Sequence, residues 1–359
     1  ISEEDVNPVE VFHWGDSQIE GDRISGVLRS SWQKSWGGCG PGLIPAVQPI
    51  PALSIRQDYE GNLTRYTKFG VIDSTIEHSA YGPMGAFCMV RGDANIFLQP
   101  HPRGFKLNKV WPRVKVSIGS APIGGNITLI GNKNPYRVLD ISPASNSMHQ
   151  DIEIKLFENE SELKIGFEGY NIEVTGLELG CSSGVQLHNI PLRGNSGLIF
   201  TKLDSKHLYR TLENRDIGLM ILQFGGNVVP HIKDSTDAKK YSRRLATQIS
   251  LLKKMKPDAL IIVIGPSDMG ISNTESPTYQ FLETVINCLK ETTISEDCLY
   301  WNTYEVMGGC GSIKKWSEQD PKLASPDLVH FTPKGARVIG ERFDIAFRAE
   351  YKSWLEWNR

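Results

Sequence analysis

The stretch Val11-Phe-His-Trp-Gly-Asp-Ser-Gln-Ile-Glu-Gly-Asp22 decides the fold predicted for this chain. Its first residues are typical of a short buried strand, and Gly15 allows the chain to turn directly after them. The apolar residues that follow recur at roughly helical spacing, which predicts a helix that extends to residue 36 and is ended by the glycine-rich run Gly37–Gly42. Ser17 lies at the turn between the strand and this helix. A hydroxyl there points clear of the sheet, close to backbone N–H groups, which suits a nucleophile whose product is an oxyanion.

The overall composition is that of a globular protein, and it argues against nucleic acid as a partner and against a membrane-spanning helix. Of the 359 residues, 40% are hydrophobic and 22% are charged. The net charge of −2 argues against nucleic acid, whose binding needs a basic surface. No apolar run reaches the roughly 18–20 residues that a membrane helix needs. The beginning of the chain, residues 1–5, is typical of a trimmed chain from which an export signal has been removed.

The cysteines predict neither a metal site nor a definite disulfide. None of the six forms a C-x-x-C pair, and no spacing of histidine and cysteine resembles a zinc site. Cys288 and Cys298 are close enough in sequence to form a bridge, which the sequence leaves open. We expect most of the six to be buried free thiols: Cys39, Cys88, Cys181, Cys288, Cys298 and Cys310.

The middle of the chain, residues 46–183, is predicted to be an inserted β domain. Its apolar residues alternate with polar ones in short segments that are separated by turn residues. This pattern is typical of an antiparallel β-sandwich of jelly-roll type. The segments of alternating residues are Val114–Ile118, Ile152–Leu156, Leu163–Phe167 and Ile172–Leu179.

Residues 8–45 and 184–359 together predict one discontinuous α/β domain. Ile217–Phe224 and Ala259–Ile264 are continuous apolar runs of the kind that form strands buried on both faces. Helical patterns follow these strands, and the last one covers roughly Pro333–Trp357. Alternating strands and helices predict a parallel sheet between two layers of helices, with ligands at the carboxyl ends of the strands.

A base for Ser17 is offered by Ser325-Pro-Asp-Leu-Val-His-Phe331. A serine needs a base, usually histidine, and the histidine usually needs a carboxylate that holds its tautomer. In a loop, the spacing Asp327-x-x-His330 brings the carboxylate to one imidazole nitrogen and leaves the other nitrogen free. Taken alone, the same spacing is also typical of a loop salt link, and Gly15-Asp-Ser17 of a helix cap.

Gly15-Asp-Ser17 after a strand, combined with Asp327-x-x-His330 near the end, resembles the SGNH (GDSL) hydrolase superfamily. The resemblance covers residues 8–45 and 184–350 and implies a three-layer α/β fold. It implies that Ser17 is the nucleophile and that His330 is the base, oriented by Asp327. It also implies an oxyanion hole formed by the Ser17 N–H, a glycine N–H and an asparagine amide.

Two blocks supply the remaining oxyanion donors of that resemblance. Gly225-Gly-Asn227 follows a predicted strand and matches the asparagine block, although Val228 replaces the usual aspartate. Gly265–Met269 is a poorer match because Ser267 stands where asparagine is expected. The glycine block is less specific. Gly197 is the first choice and Gly194 the second, both in Gly194-Asn-Ser-Gly197.

An SGNH domain with a β insert resembles bacterial peptidoglycan O-acetylesterases and related carbohydrate esterases. This architecture implies a serine esterase that removes acetyl or other short acyl groups from a carbohydrate, without metal or cofactor. It also implies a periplasmic or cell-surface location. Two alternatives stay open: a carbohydrate-binding protein with a vestigial site, and an O-acyltransferase with the same triad. The glycan, the acyl group and the oligomeric state are not predicted.

Several other residues have two possible roles. His13 is more typical of a packed core histidine than of a second base, and His231 is expected at the surface. Asp268 follows a strand, so it suits either the pocket rim or a structural hydrogen bond. Gln18 could contact substrate or lie on a helix surface. The aromatic residues of the insert suit stacking on sugars or, more typically, core packing: Tyr81, Phe87, Trp111, Tyr136 and Tyr170.

Overall fold

The computed structural model describes residues 7–145, 148–271 and 278–357, so the predicted trimmed start lies outside it. Thirteen strands are present in this part of the chain. They are β1 Val9–Gly15, β2 Gly42–Ile44, β3 Ile55–Thr67, β4 Ala86–Pro100, β5 Arg113–Ile118, β6 Gly125–Gly131, β7 Arg137–Ile141, β8 Gln150–Lys155, β9 Leu163–Gly180, β10 Val185–Pro191, β11 Ile217–Gln223, β12 Leu260–Ile264 and β13 Leu299–Trp301.

Seven α-helices accompany the strands, and among the described residues none is long and apolar enough to span a membrane. They are α1 Ser25–Trp36, α2 Ser205–Leu212, α3 Ser235–Met255, α4 Leu282–Ser295, α5 Thr303–Met307, α6 Ser312–Glu318 and α7 Pro333–Trp357. The long final helix has the bounds that the sequence predicts.

The first and last parts of the chain form a parallel sheet in the order β10-β1-β11-β12-β13. Strand β11 explains why the sheet is covered on both sides. Leu219 and Ile221 pack with α1 and α7 on one face, whereas Met220 and Leu222 pack with α2, α3 and α4 on the other. Both sets are apolar because successive side chains of a strand point to opposite faces. The predicted three-layer α/β architecture is confirmed.

Strands β2 to β9 form an eight-stranded antiparallel sheet, which confirms the class of the insert. Its central strand β9 runs for 18 residues and pairs with β2, β4, β5 and β6. The two segments predicted at Leu163–Phe167 and Ile172–Leu179 are therefore one strand. A positive φ of 58° at Asn171 and a register shift opposite it bend the strand without ending it. The predicted domain limits, with the insert at 46–183, stay a prediction.

The chain after Ser17 differs from the predicted helix. Residues Ser17–Asp22 form a short 3-10 segment, and α1 begins only at Ser25. Gly21 and Asp22 have φ values of +68° and +60°, which no α-helix accommodates. Asp22 is held there by a bidentate ion pair with Arg29 of α1. The apolar spacing of this stretch thus reflects two separate elements.

The chain passes from the parallel sheet to the antiparallel sheet between α1 and β2, and it returns between β9 and β10. These two crossings lie side by side and are joined covalently. A disulfide links Cys39, between α1 and β2, to Cys181, directly after β9. A side chain on Gly38 or Gly184 would collide with the other crossing, because a Cβ atom there would lie 2.2–2.3 Å from its backbone. Cys288 and Cys298 are buried free thiols, so the bridge considered between them does not form.

A buried ion cluster ties the antiparallel sheet to the parallel one. The Arg215 guanidinium donates to Glu10 of β1 and to Glu178 of β9, with both nitrogen–oxygen distances at 2.7 Å. Glu178 also accepts from Arg113 at 2.8 Å, and Glu10 contacts His188 at 3.1 Å. Burial alone would raise the pKa of both glutamates. Arg215 and His188 together outweigh it at Glu10, and Arg113 and Lys115 add to them at Glu178, so both pKa values are lowered.

Arg215→Met should destabilise the protein strongly, because it leaves Glu10 and Glu178 buried without their shared cation. Removing one partner of a buried pair costs about 3–5 kcal/mol. The free energy of unfolding from urea denaturation measures the effect. Arg337→Met, which removes an exposed pair with Glu341, is the control and should cost less than about 1 kcal/mol. Equal losses in the two variants would contradict a dominant role of the buried cluster.

Candidate active site

Ser17 lies at the carboxyl end of β1, the second strand of the five-stranded parallel sheet. The turn is tight, since a Cβ atom on Gly15 would lie 3.0 Å from the Ile19 side chain. Asp16 caps the segment by accepting the Gln18 N–H at 2.9 Å. The Ser17 N–H has no acceptor among the described residues, so it is available to a ligand. Ser17 therefore lies at the carboxyl end of a strand of the parallel sheet, in the turn where the sequence predicts it.

The structure brings Ser17, His330 and Asp327 together in one hydrogen-bonded chain. Ser17 Oγ lies 2.8 Å from His330 Nε2, and His330 Nδ1 lies 2.8 Å from Asp327 Oδ2. The second carboxylate oxygen of Asp327 accepts the N–H groups of Val329 and His330. Leu328 between them has a φ of +55°, an uncommon conformation for a bulky side chain. This turn folds the carboxylate back onto its own histidine.

Asp327 is held in its ionised form. Partial burial on its own would raise the pKa of this carboxyl. Hydrogen bonds from the backbone and ring of His330 and from the Val329 N–H outweigh that effect and lower the pKa. An ionised carboxylate favours the His330 tautomer with the proton on Nδ1 and leaves Nε2 as the acceptor for the serine hydroxyl.

Two side chains near the serine hold the histidine loop in place. The Gln18 amide donates to the Val329 carbonyl at 2.6 Å and accepts the Phe331 N–H at 3.4 Å. Arg23 donates to the Phe331 carbonyl at 3.0 Å. The sequence left open whether Gln18 contacts substrate or solvent, and Arg23 was not singled out at all. Both positions join segments more than 300 residues apart, which no local pattern reveals.

Asn227 lies in the same site as Ser17. It follows β11 and a turn at Gly225, whose φ of +121° suits only glycine. Its amide nitrogen donates to Asp16 Oδ2 at 3.3 Å and to the Asn195 carbonyl at 3.1 Å. The amide is thereby fixed beside the serine turn.

Asp16 is buried directly beside the nucleophile. Removal from solvent raises the pKa of its carboxyl to about 6, and the hydrogen bond from the Gln18 N–H offsets only part of this effect. Asp16 is therefore close to half protonated in mildly acidic solution. It differs in this respect from Asp327, although both carboxyls face the same site.

The two candidate glycines have different surroundings. The Gly197 N–H already donates to the Asn195 side chain at 2.8 Å, and a Cβ atom on Gly197 would meet the Phe224 ring. Gly194 has a φ of +72°, and nothing lies within 4 Å of the position of a Cβ atom. The Gly194 N–H has no acceptor in the described ranges. Of the two glycines, Gly194 therefore has the free N–H group, although the sequence favours Gly197.

A cavity of about 240 Å³ opens beside the serine. Its walls come from the loops that follow β1, β11 and β12 and from the histidine loop, as expected for the carboxyl ends of parallel strands. Residues that line it include Ser17, Gln18, Phe224, Asn227, Pro230, His231, Pro266, Met269, Tyr279 and Val329.

The remaining candidates have mainly structural surroundings. His13 is buried between Gln223 at 3.0 Å and Ser25 at 2.9 Å, and burial lowers its pKa to about 4. Asp268 is buried behind the cavity, where it accepts from Thr278 and from the Ile313 N–H. His231 is exposed at the cavity wall. Among the aromatic residues of the insert, Tyr136 and Tyr170 are exposed, whereas Tyr81, Phe87 and Trp111 are buried.

One group of side chains has the composition of a metal site. Ligand atoms of Glu10, Glu178 and His188 lie within 4.8 Å of one another. Arg215 Nη1, however, lies 2.7 Å from an oxygen of each glutamate. The guanidinium fills the position that a metal cation would take, so this group is a structural ion cluster.

The fold is similar to that of an enzyme of known structure, a peptidoglycan O-acetylesterase. The two chains are 19% identical over 97% of this chain and 92% of the other, with a TM-score of 0.77. The chain therefore shares the fold of that enzyme, as the resemblance noted in its sequence implies. The likeness extends through the insert, since nearly the whole length of both chains is covered. Neither a protein-family model nor a curated protein sequence matches this chain.

Two further solved structures match this chain with lower TM-scores. A GDSL-like lipase from Bacteroides ovatus is 11% identical over 83% of this chain and 98% of its own, with a TM-score of 0.34. A family two carbohydrate esterase from Cellvibrio japonicus is 11% identical over 84% and 99%, with a TM-score of 0.31.

Asp16→Asn should change how stability depends on pH. Because the pKa of Asp16 is raised from 3.8 to about 6, the folded protein binds this proton more tightly than the unfolded chain. Its stabilising contribution is complete below the unfolded pKa and is lost as the pH rises through the folded pKa. Asparagine does not titrate. The Tm of Asp16→Asn minus that of the wild type should therefore rise between about pH 4 and about pH 7.

Asp327→Asn is the control, because the pKa of Asp327 is shifted in the opposite direction to that of Asp16. The pKa of Asp327 is lowered, so its contribution is present above the unfolded pKa and is lost as the pH falls. Its Tm deficit relative to the wild type should shrink in acid. Thermal unfolding of all three proteins in one series of buffers measures both trends. A Tm difference for Asp16→Asn that stays constant with pH would contradict the raised pKa.

Proposed function

We propose that this chain is a serine esterase that removes acetyl or other short acyl groups from a carbohydrate polymer. The observation that carries the proposal is the chain of hydrogen bonds from Ser17 through His330 to Asp327, with 2.8 Å at each step between side chains. Nucleophile, base and orienting acid then occupy the relations that acyl transfer to a serine requires. A carbohydrate-binding protein would not require these three side chains to be aligned, so the alignment favours the esterase over a vestigial site.

In the proposed reaction Ser17 Oγ attacks the ester carbonyl while His330 Nε2 takes its proton. The imidazolium that forms is stabilised by Asp327, and it returns the proton to the departing sugar hydroxyl. The acyl group is then bound to Ser17. Water, deprotonated by His330, attacks this acyl-enzyme, and the carboxylic acid leaves as the serine is restored. An acyltransferase would use a sugar hydroxyl in place of water at this step.

The negative charge on the carbonyl oxygen needs hydrogen-bond donors. We assign this role to the Ser17 N–H, to the Asn227 amide and to the Gly194 N–H. The free N–H of Gly194 favours it over Gly197, whose N–H is already used by Asn195. The Asn227 amide contacts Asp16 at 3.3 Å, the longer of its two hydrogen bonds. Catalytic hydrogen bonds are often long before substrate binds, so this contact can be exchanged for the oxyanion.

The size of the cavity supports a short acyl group. A space of about 240 Å³ is below the roughly 300–1,000 Å³ of typical ligand pockets. Pro266, Met269 and Tyr279 line its walls, which suits a methyl group better than a polar one. Acetyl is accordingly the acyl group that we propose first.

Two observations support an exported enzyme that acts on a glycan. A solved structure with a similar overall fold is that of a peptidoglycan O-acetylesterase. The Cys39–Cys181 disulfide is typical of oxidising compartments outside the cytosol. We therefore propose an acylated glycan as substrate and a location in the periplasm or at the cell surface.

Ser17→Ala should abolish the release of acetate from acetylated xylan, from acetylated peptidoglycan and from p-nitrophenyl acetate. The hydroxyl is the only group removed, so the Tm should stay close to that of the wild type. Ser295→Ala, at an exposed serine in the last turn of α4, is the control and should keep full activity. Acetate release by Ser17→Ala at the wild-type rate would reject the nucleophile. Absence of release from all three substrates by the wild type would reject the esterase.

Asn227→Ala should lower kcat for p-nitrophenyl acetate by about 10²–10³-fold, as expected for the loss of one oxyanion donor. KM should change little, because the oxyanion exists only in the transition state and intermediates. Steady-state kinetics separate the two constants. A rise in KM with an unchanged kcat would assign Asn227 to substrate binding instead.

A further inference from the structure

A second and larger cavity, of about 450 Å³, lies between the antiparallel insert and the parallel sheet. The insert contributes Pro49, Phe69 and Met84 to its walls, and the chain around Ser17 contributes Glu20 to Asp22. Most of the lining is apolar. The first residue of this wall, Glu20, is three positions after Ser17. Three residues of extended backbone span about 10 Å at most, so the cavity lies close to Ser17.

The side chains that line this cavity carry one more positive charge than negative charges. Two carboxylates and three guanidinium groups face it. Asp22 is paired bidentately with Arg29, and Glu20 with Arg193, at 2.5–3.0 Å. Arg65 of β3 remains, and no carboxylate of the described residues lies within ion-pair distance of it.

Arg65 is also short of hydrogen-bond partners. Its Nε atom is shielded from solvent and has no acceptor in the part of the chain that the structure describes. Loss of water around the guanidinium lowers its pKa, and no carboxylate offsets this effect. A desolvated donor without a partner is costly, and such groups in native proteins call for an explanation. A bound anion would offset the desolvated charge and accept hydrogen bonds from the part of the guanidinium that lines the cavity.

We propose that this cavity binds a carboxylate-bearing sugar unit of the glycan, with Arg65 donating to the carboxylate. The inference rests on the proposed esterase function and adds to it the class of glycan. The apolar walls contact the body of the sugar and its substituents, while the planar fork of Arg65 matches the geometry of a carboxylate. The unit that carries the ester lies at Ser17, and the acidic unit lies next to it along the polymer.

This placement gives the insert a role in substrate choice. Arg65, Thr67, Phe69, Met84 and Ala86 all belong to the insert, and they form one side of the cavity. The catalytic side chains belong to the other part of the chain. An insert at this position selects the polymer without supplying any group to the reaction.

The test compares the binding of N-acetylmuramic acid and N-acetylglucosamine. The first sugar is the second with an added lactyl ether, which bears a carboxylate, so a difference in affinity reports the contribution of the lactyl group. Isothermal titration calorimetry in the Ser17→Ala background measures binding without turnover. We expect the acidic sugar to bind more tightly than the neutral one, and Arg65→Gln to weaken its binding roughly tenfold or more. Arg65→Lys should retain part of the preference, because it keeps the charge but loses the fork.

Arg56→Gln is the matched control, since Arg56 lies exposed on the same strand and is not among the residues that line this cavity. It should bind the acidic sugar as the parent protein does. Arg65→Gln should also unfold at the same or a higher Tm, because it removes a desolvated charge that has no partner. Equal binding of the two sugars, or equal weakening by Arg56→Gln and Arg65→Gln, would overturn the proposal.

Failure of the esterase and failure of this site are separable. Ester hydrolysis that depends on Ser17, together with no preference for the acidic sugar, would overturn the acidic subsite alone. Preference for the acidic sugar that depends on Arg65, in a protein without Ser17-dependent hydrolysis, would support the site and reject the esterase.

Discussion

The guanidinium of Arg215 is the point on which the arrangement of the two sheets depends. It is shared by Glu10 of the parallel sheet and Glu178 of the antiparallel one, and all three side chains are buried. Isolated, either carboxylate would pay a large desolvation cost, so the sheets are stable together only in the register that brings both to the same cation. Apolar packing alone is less exacting, because it tolerates small shifts between two smooth surfaces. The ion cluster therefore fixes how the insert sits on the α/β layers.

The same constraint explains how an insertion of this size leaves the catalytic residues undisturbed. The chain leaves the α/β part after α1 and returns at β10, and the Cys39–Cys181 disulfide joins these two crossings. Every loop that contributes to the catalytic site follows a strand of the parallel sheet or precedes α7. In the part of the chain that the structure describes, residues of the insert and Glu20 to Asp22 line a common cavity, to one side of the proposed catalytic residues.

Local signals account for what the sequence could predict. Ser17 after a strand and Asp327-x-x-His330 are short motifs, and the strands of the parallel sheet are continuous apolar runs, so both were predictable. What escaped prediction depends on distant partners. The disulfide joins residues 142 positions apart, and the contact of Gln18 with Val329 spans 311. The helix predicted after Ser17 fails for a different reason. The ion pair of Asp22 with Arg29, seven residues further on, holds a conformation that apolar spacing does not encode.

The site contains two carboxyls whose environments shift their pKa values in opposite directions, and this difference supports the roles proposed for them. Asp327 is partly exposed and accepts several N–H groups, so it stays ionised and can stabilise a charged imidazole. Asp16 is buried, and its raised pKa of about 6 makes a full negative charge costly there. Were Asp16 the partner of His330, the imidazolium would form against a group that resists ionisation. A buried carboxyl is better suited to hold Asn227 and the serine turn, which need hydrogen bonds but no charge.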